Sequence, residues 1–378
     1  GTMSGNGDHS MQEQAQSAGK SFFKTILKLA LLFAVLYFFL FAIKLMGGAF
    51  KLYGKDFAQM LMQRTENPLV GVFIGILATA VVQSSSATTS IVVGMVAGGV
   101  LSIGNAVPMV MGANIGTTVT NTVISMAHIT RGVEFRRAFA AATVHDFFNL
   151  IAVAVLLPLE VFTGVLSKSA SWLAYELAGT GGFEFAGPID LLIKPLVHAV
   201  EARLGDYPWV LLIISFVVIY FALKFLVDIM RSLVMSKIEA YFSSFLFKTA
   251  GRAFVLGILF TVLVQSSSIT TSLAVPLAGA GILTVQQIFP YTLGANIGTT
   301  ITAMLAAFIT ANTAAIAVAF AHLLFNIFGS LLIIPIRHVP PRLAEGFAEI
   351  AVRYKVLTVA YLVAAFYLLP LLVIFLLG

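Results

Sequence analysis

The chain has 378 residues, 59% of them hydrophobic and 10% charged, with a formal net charge of +6 and a mean hydropathy of +1.00. So little polar surface cannot cover a soluble globule, and the 22 Lys and Arg residues, scattered between apolar runs, read as orientation signals rather than a nucleic-acid face. Cysteine is absent, which excludes disulfides and thiolate metal sites.

In chain order, residues 1–20 are polar and open with Gly-Thr-Met like a cloning remnant, so they are expected to form a disordered leader. A full crossing of a bilayer takes roughly 20 apolar residues, because the hydrocarbon core is about 30 Å thick. Runs at 25–45, 103–128, 139–159, 209–227, 287–308, 314–336 and 357–377 qualify as seven spans. The stretches 69–82 and 88–101 are too short to cross separately at about 1.5 Å of rise per residue, and they flank a cluster of hydroxyls. They predict a re-entrant helical hairpin over about 69–101. A second hairpin is predicted over about 253–283.

These two stretches repeat one another. Gln83-Ser84-Ser85-Ser86-Ala87-Thr88-Thr89-Ser90 returns as Gln265-Ser266-Ser267-Ser268-Ile269-Thr270-Thr271-Ser272, and Gly112-Ala113-Asn114-Ile115-Gly116-Thr117-Thr118 returns as Gly294-Ala295-Asn296-Ile297-Gly298-Thr299-Thr300. The offset is the same for both (265 − 83 = 182; 294 − 112 = 182). His145-Asp146-Phe147-Phe148-Asn149 returns as His322-Leu323-Leu324-Phe325-Asn326 at a shortened offset (322 − 145 = 177). Each half therefore holds three crossings and one hairpin, and an odd number of crossings inverts the second copy. The expected fold is an all-α polytopic membrane protein of two inverted-topology repeats. The first repeat takes residues 21–160, an acidic external loop 161–207, the second repeat 208–337, and a C-terminal segment with the last helix 338–378. Positive residues such as Lys20, Lys24, Arg131, Arg136, Arg137, Arg231, Lys237, Lys248 and Arg252 then share one side, which makes the N-terminus cytoplasmic.

Hydroxyls and amides in hydrocarbon cost several kcal/mol each unless protein, water or a ligand satisfies them. A broken hairpin exposes backbone N–H groups at the start of its second helix, where the dipole attracts an anion. Carbonyls ending the first half-helix, with Gln83 and Gln265 oxygens and Thr hydroxyls, suit a hard monovalent cation. Residues 78–121 and 254–303 contain no Lys, Arg, Asp or Glu, so a bound anion would meet no fixed cation there and would need mobile cations as companions. No nucleotide-binding Gly-x-x-x-x-Gly-Lys-Ser/Thr motif or His-rich metal cluster occurs, so no enzymatic activity and no cofactor are expected.

The paired Gln-Ser-Ser-Ser and Gly-Ala-Asn-Ile-Gly-Thr-Thr motifs, with the run Phe135-Arg136-Arg137-Ala138-Phe139 to Asn149, resemble the type II sodium-phosphate cotransporter family over about 45–336. The resemblance implies a sodium-coupled symporter of inorganic phosphate in a bacterial inner membrane, with sodium as the coupling ion. It assigns phosphate to Ser84, Ser85, Ser86, Ser266, Ser267 and Ser268, joined by Asn114 and Asn296. It assigns sodium to Gln83, Thr88, Thr89, Ser90, Thr117, Thr118, Asn121, Gln265, Thr270, Thr271, Ser272, Thr299 and Thr300. Asn121 has Ala303 as its counterpart, so the two cation regions are not equivalent. Asp146 reads either as a buried polar anchor or as a cation-coupling group, and His145 and His322 as satisfied histidines between helices. A channel with re-entrant loops and a sodium-coupled carrier of another small anion are the alternative readings.

Overall fold

The computed structural model describes residues 5–179, 186–238 and 247–378, with side chains described over 23–177, 191–233 and 247–378. The described residues are helical apart from short turns and contain no strand. Their order is α1 (Gly5–Arg64), α2 (Pro68–Val82), α3 (Ser85–Ala97), α4 (Ile103–Gly116), α5 (Val119–Ser125), α6 (Gly132–Thr163), α7 (Val165–Gly179) and α8 (Ala186–Leu204). Then follow α9 (Pro208–Ile238), α10 (Ala250–Val264), α11 (Ser267–Gly279), α12 (Val285–Thr310), α13 (Thr313–Ile333), α14 (Val339–Arg353), α15 (Lys355–Val363) and α16 (Leu369–Leu377). Six of these segments are long and apolar enough to cross a membrane: 23–64, 132–163, 208–233, 285–310, 313–336 and 355–377. The protein is an all-α, multi-pass membrane protein.

Three expectations change. The run 103–128 is not one span: the helix breaks at Thr117 and Thr118 and restarts as α5, followed by a 3₁₀ turn at Met126–His128. Here Thr117 and Thr118 hydroxyls donate back to Ala113 O and Ile115 O, and the Thr118 N–H also turns to Ile115 O, which tightens the chain into a 3₁₀ step. The interval 161–207 is not a simple loop, since α7 and α8 occupy most of it and pack against α13 and α1. Lys168, Glu176, Lys194 and Arg203 are exposed, while the Glu201 carboxylate lies against Gly48 of α1, so composition alone reads as hydrophilic. Finally, α1 begins at Gly5 and continues past residue 45 to Arg64 across a break at Gly54 (φ 83°). Its Gln, Ala and Lys content favours helix and extends the apolar span backwards.

Each short apolar pair is broken between its helices, at Gln83–Ser84 and at Gln265–Ser266. Thr79 in α2 donates to the hydroxyl of Thr88 in α3 at 3.0 Å, across the first break. The helices that follow start where the sequence caps them: Ser102 accepts from Asn105 N–H, and Thr284, 182 residues later, accepts from Gln287 N–H in a capping box. α2 packs along α4 and α10 along α12. Glycine makes that approach possible. A Cβ on Gly112 would fall onto Val72 O, and one on Gly294 onto Phe254 O. Across the halves, α3 lies against α12, α11 against α5 and α6, and α13 against α4. The buried core therefore mixes residues of both repeats, for example Phe148 and Phe289, whose rings meet at 6.2 Å. At the C-terminus, Pro370 lacks an N–H and pushes on the preceding turn, which opens into a π-helical turn at Ala364–Leu368.

Candidate functional site

The two helix breaks have the same backbone. Gln83 sits at φ 58°, ψ 26° and Gln265 at φ 58°, ψ 26°, both in the left-handed region; Ser84 and Ser266 follow in extended geometry at φ −150° and −151°. A non-glycine residue there costs on the order of 1 kcal/mol or more and needs support from its surroundings. The glutamine supplies that support itself. Gln83 donates its N–H to Thr79 O at 2.7 Å and its side-chain amide to Ala80 O, while its Oε1 accepts from Thr120 at 3.0 Å. Gln265 does the same with Thr261 O, Val262 O and Thr302 (2.8 Å). Glutamine is thus the buttress that holds the break in each hairpin.

After the break, Ser84 Oγ accepts from Ala87 N–H at 3.2 Å and Ser266 Oγ from Ile269 N–H at 3.3 Å, so the first serine of each triplet is a helix cap. Ser85, Ser86, Ser267 and Ser268 occupy the first two helical positions, and their hydroxyls have no protein partner among the described residues. Two helix N-termini with unspent N–H groups and four uncommitted hydroxyls converge on one cavity of about 290 Å³, lined by all six serines, both glutamines and Thr120. That size is at the small end of ligand pockets, which run roughly 300–1,000 Å³. A small oxyanion fits its donor chemistry.

Sequence reasoning missed part of this wall. Tyr220, Lys224 and Asp228 of α9 also line the cavity, so the expectation that an anion there meets no fixed cation is overturned. The signal was an ionisable pair inside an otherwise apolar span. Thr120 and Thr302, which hold the glutamine oxygens, could have been found from their own separation (302 − 120 = 182).

Asn114 and Asn296 do not reach the cavity. Both are buried and tied to the opposite half: Asn114 Oδ1 lies 3.0 Å from His322 Nε2 and its amide donates to Asn326 at 2.8 Å, whereas Asn296 Oδ1 lies 2.5 Å from His145 Nε2 and its amide donates to Asn149 at 3.0 Å. These amides bond residues of the opposite half and do not line the cavity. His145 and His322 are fully buried between packed helices; Nε2 of each meets an asparagine of the opposite half, whereas Nδ1 of each has no partner among the described residues, so they are satisfied on one ring nitrogen only.

Of the residues assigned to sodium, Gln83 and Gln265 line the cavity and the others stand behind it. Thr89 and Thr271 donate back to Ser85 O and Ser267 O at 2.8 Å, and Thr88 and Thr270 to Ser84 O and Ser266 O. Thr117, Thr118, Thr299 and Thr300 likewise bond carbonyls of their own helices, and Ser272 bonds Ile269 O. Ser90 Oγ is buried with no partner. Only one assigned pair spans the halves: Asn121 Nδ2 lies 2.8 Å from the Thr271 hydroxyl. Asp146 accepts from Tyr361 OH of α15 at 2.9 Å through one oxygen; its other oxygen is buried and unpartnered.

Comparison with known proteins adds an independent line. The sequence profile described as Na+/Pi-cotransporter matches residues 38–176 and 218–336, one stretch in each half. The sodium-dependent phosphate transport protein 2B of Homo sapiens is 32% identical, across 93% of this chain and 65% of that protein. The sodium-dependent phosphate transport protein 2A of Mus musculus is 32% identical, across 92% of this chain and 67% of that protein. The chain thus spans about two thirds of the length of these relatives. No solved structure matches it. Matching profile in both halves and identity along nearly the whole sequence establish that the chain belongs to the Na+/Pi-cotransporter family.

Proposed function

We propose that the protein is a sodium-coupled symporter of inorganic phosphate, working by alternating access around the cavity between the two Gln-Ser-Ser-Ser tips. The observation that carries this reading is the convergence of both tips, with their uncommitted serine hydroxyls and helix N-termini, on one small cavity. Phosphate in that cavity accepts from Ser85, Ser86, Ser267 and Ser268, with Ser84 and Ser266 setting the helix starts. Sodium is held by the oxygens that flank the tips. Gln83, Gln265, Thr88, Thr89, Ser90, Thr270, Thr271 and Ser272 are the nearest set, and Asn121 contributes beside Thr271. The free oxygen of Asp146 is a further anionic group able to couple a cation, since an unpaired buried carboxylate oxygen calls for a proton or a cation. The hairpins are re-entrant and the repeats inverted in this reading, with the N-terminus cytoplasmic in a bacterial inner membrane. The names of the similar proteins, both sodium-dependent phosphate transport proteins, support the same ion and substrate.

Purified protein in liposomes tests it. Labelled phosphate should accumulate under an inward sodium gradient and not under an equal choline gradient. Preloading with unlabelled phosphate should accelerate entry of label, as a carrier requires. Uptake that ignores sodium, or label entry without trans-acceleration, would point instead to a channel with re-entrant loops.

A further inference from the structure

One wall of the cavity comes from outside both hairpins. Tyr220, Leu223, Lys224, Val227 and Asp228 of α9 face it, and their spacing makes a single helical stripe. Lys224 and Asp228 are the only charged side chains among the described residues lining the cavity. Both are exposed in the protein itself, and neither has an ion pair or hydrogen bond among the described residues. They stand one turn apart, close enough to attract one another, and in the order Lys before Asp, which is the weaker orientation for such a pair on a helix. Charges in a membrane span are costly and rarely kept without a task.

The rest of the cavity attracts an anion only through neutral donors. Helix N-termini and serine hydroxyls recognise oxygen positions, but they cannot by themselves distinguish strongly between one and two negative charges. A movable ammonium on the wall can.

Resting on the phosphate reading above, we propose that Lys224 is a specificity-determining residue that extends its ammonium to the anion held between the serine tips, and that Asp228 sets its strength by competing for the same ammonium. With an anion present, Lys224 turns inwards, and the Asp228 carboxylate one turn away draws the ammonium back. Asp228 limits affinity, so the anion can leave as well as enter. α9 thereby supplies charge recognition, and the hairpins supply shape recognition.

The test uses the full chain in liposomes with labelled inorganic phosphate, at fixed sodium and with ionic strength varied by choline chloride. Charged clefts raise local ion concentration by about 10–10³-fold, and an opposing carboxylate nearby places this one at the low end. Lys224→Gln should raise the half-saturating phosphate concentration roughly tenfold with little change in maximal rate, and should flatten its dependence on ionic strength. Lys224→Arg should restore most of the affinity lost in Lys224→Gln. Asp228→Asn should lower the half-saturating concentration several-fold, but not when Lys224→Gln is also present, because the two changes act through one ammonium. Half-saturation and salt dependence in Lys224→Gln within about twofold of the parent would overturn the proposal, as would an equal effect of Asp228→Asn in both backgrounds. Calorimetric phosphate binding on the same purified proteins separates this inference from the transport reading. Weaker binding in Lys224→Gln combined with sodium-independent uptake sustains Lys224 and sinks sodium coupling. Unchanged binding in Lys224→Gln sinks the role of Lys224 even where uptake is sodium-driven.

Discussion

The two hairpins can be compared residue for residue. At the tips they coincide: the same left-handed glutamine, the same serine cap and the same threonine on the glutamine oxygen occur in each. Behind the tips they part. Thr79 donates to Thr88 in the first hairpin, whereas its counterpart Thr261 is buried without a partner and the carbonyl of Thr270 accepts from Tyr291. Asn121 bonds Thr271 across the halves, but its counterpart Ala303 offers Thr89 no such bond, and Asp146 faces Leu323 as its equivalent. The helix behind the first tip is broken at Thr117 and Thr118, and α12 behind the second is continuous. The two copies agree at the surface that lines the cavity and differ in the supports behind it.

The largest effect should fall on the feature the halves share most rigidly. Gly112→Val and Gly294→Val each drive a side chain into a facing carbonyl, an overpacking that costs about 1–3 kcal/mol and often more. Both should lose folded, monodisperse protein in detergent. Survival of Gly294→Val with parental thermal stability would break the equivalence of the two helix contacts.

Next come the tips themselves. Ser85→Ala and Ser267→Ala each delete a donor to a charged ligand, a bond worth about 1.5–3 kcal/mol, so half-saturation for phosphate should rise roughly tenfold to a hundredfold in each. Uptake by either single variant should follow one kinetic component. A residual component with parental affinity in both variants would mean two separate sites rather than one shared cavity.

A smaller and one-sided effect is expected at the cross-half pair. Asn121→Ala removes a bond worth about 0.5–1.5 kcal/mol next to the second tip and should raise the half-saturating sodium concentration by about two- to tenfold. Ala303→Asn, the mirror change, should not improve sodium affinity, because Asn121 acts together with its own neighbours. Equal and opposite shifts from the two variants would show that the cation regions are interchangeable after all.

The smallest difference separates Thr79→Val from Thr261→Val. The first removes the Thr79–Thr88 bond, leaving the Thr88 hydroxyl only its bond to Ser84 O, and should cost about 1 kcal/mol in thermal unfolding; the second deletes a buried hydroxyl that bonds nothing among the described residues and should be neutral or slightly stabilising. A penalty of similar size in both would mean that Thr261 has a partner in the folded protein.

The duplicated motifs were legible because identity at a fixed separation survives without knowledge of the fold, and the short helices beside each serine cluster follow from the length of the apolar runs. Legibility stopped where partners come from other segments. Nothing near Asn114 in sequence indicates His322, 208 residues away, so a satisfied structural amide looked like a ligand contact. Lys224 and Asp228 drew no reading of their own, since a charge near a span end looks the same whether it faces water or a cavity. The break after Gly116 was invisible because back-bonding threonines leave the hydropathy of 103–128 unchanged.

The bonds joining Asn114 to His322 and Asn326, and Asn296 to His145 and Asn149, are reciprocal: what the first half does to the second, the second does to the first. An isologous interface between two copies of one chain exchanges partners in the same way. In these bonds the interior of the protein resembles a subunit boundary. Each half, expressed alone, would bury an asparagine amide and a histidine ring that its own residues cannot satisfy, and would pair with a second copy to satisfy them.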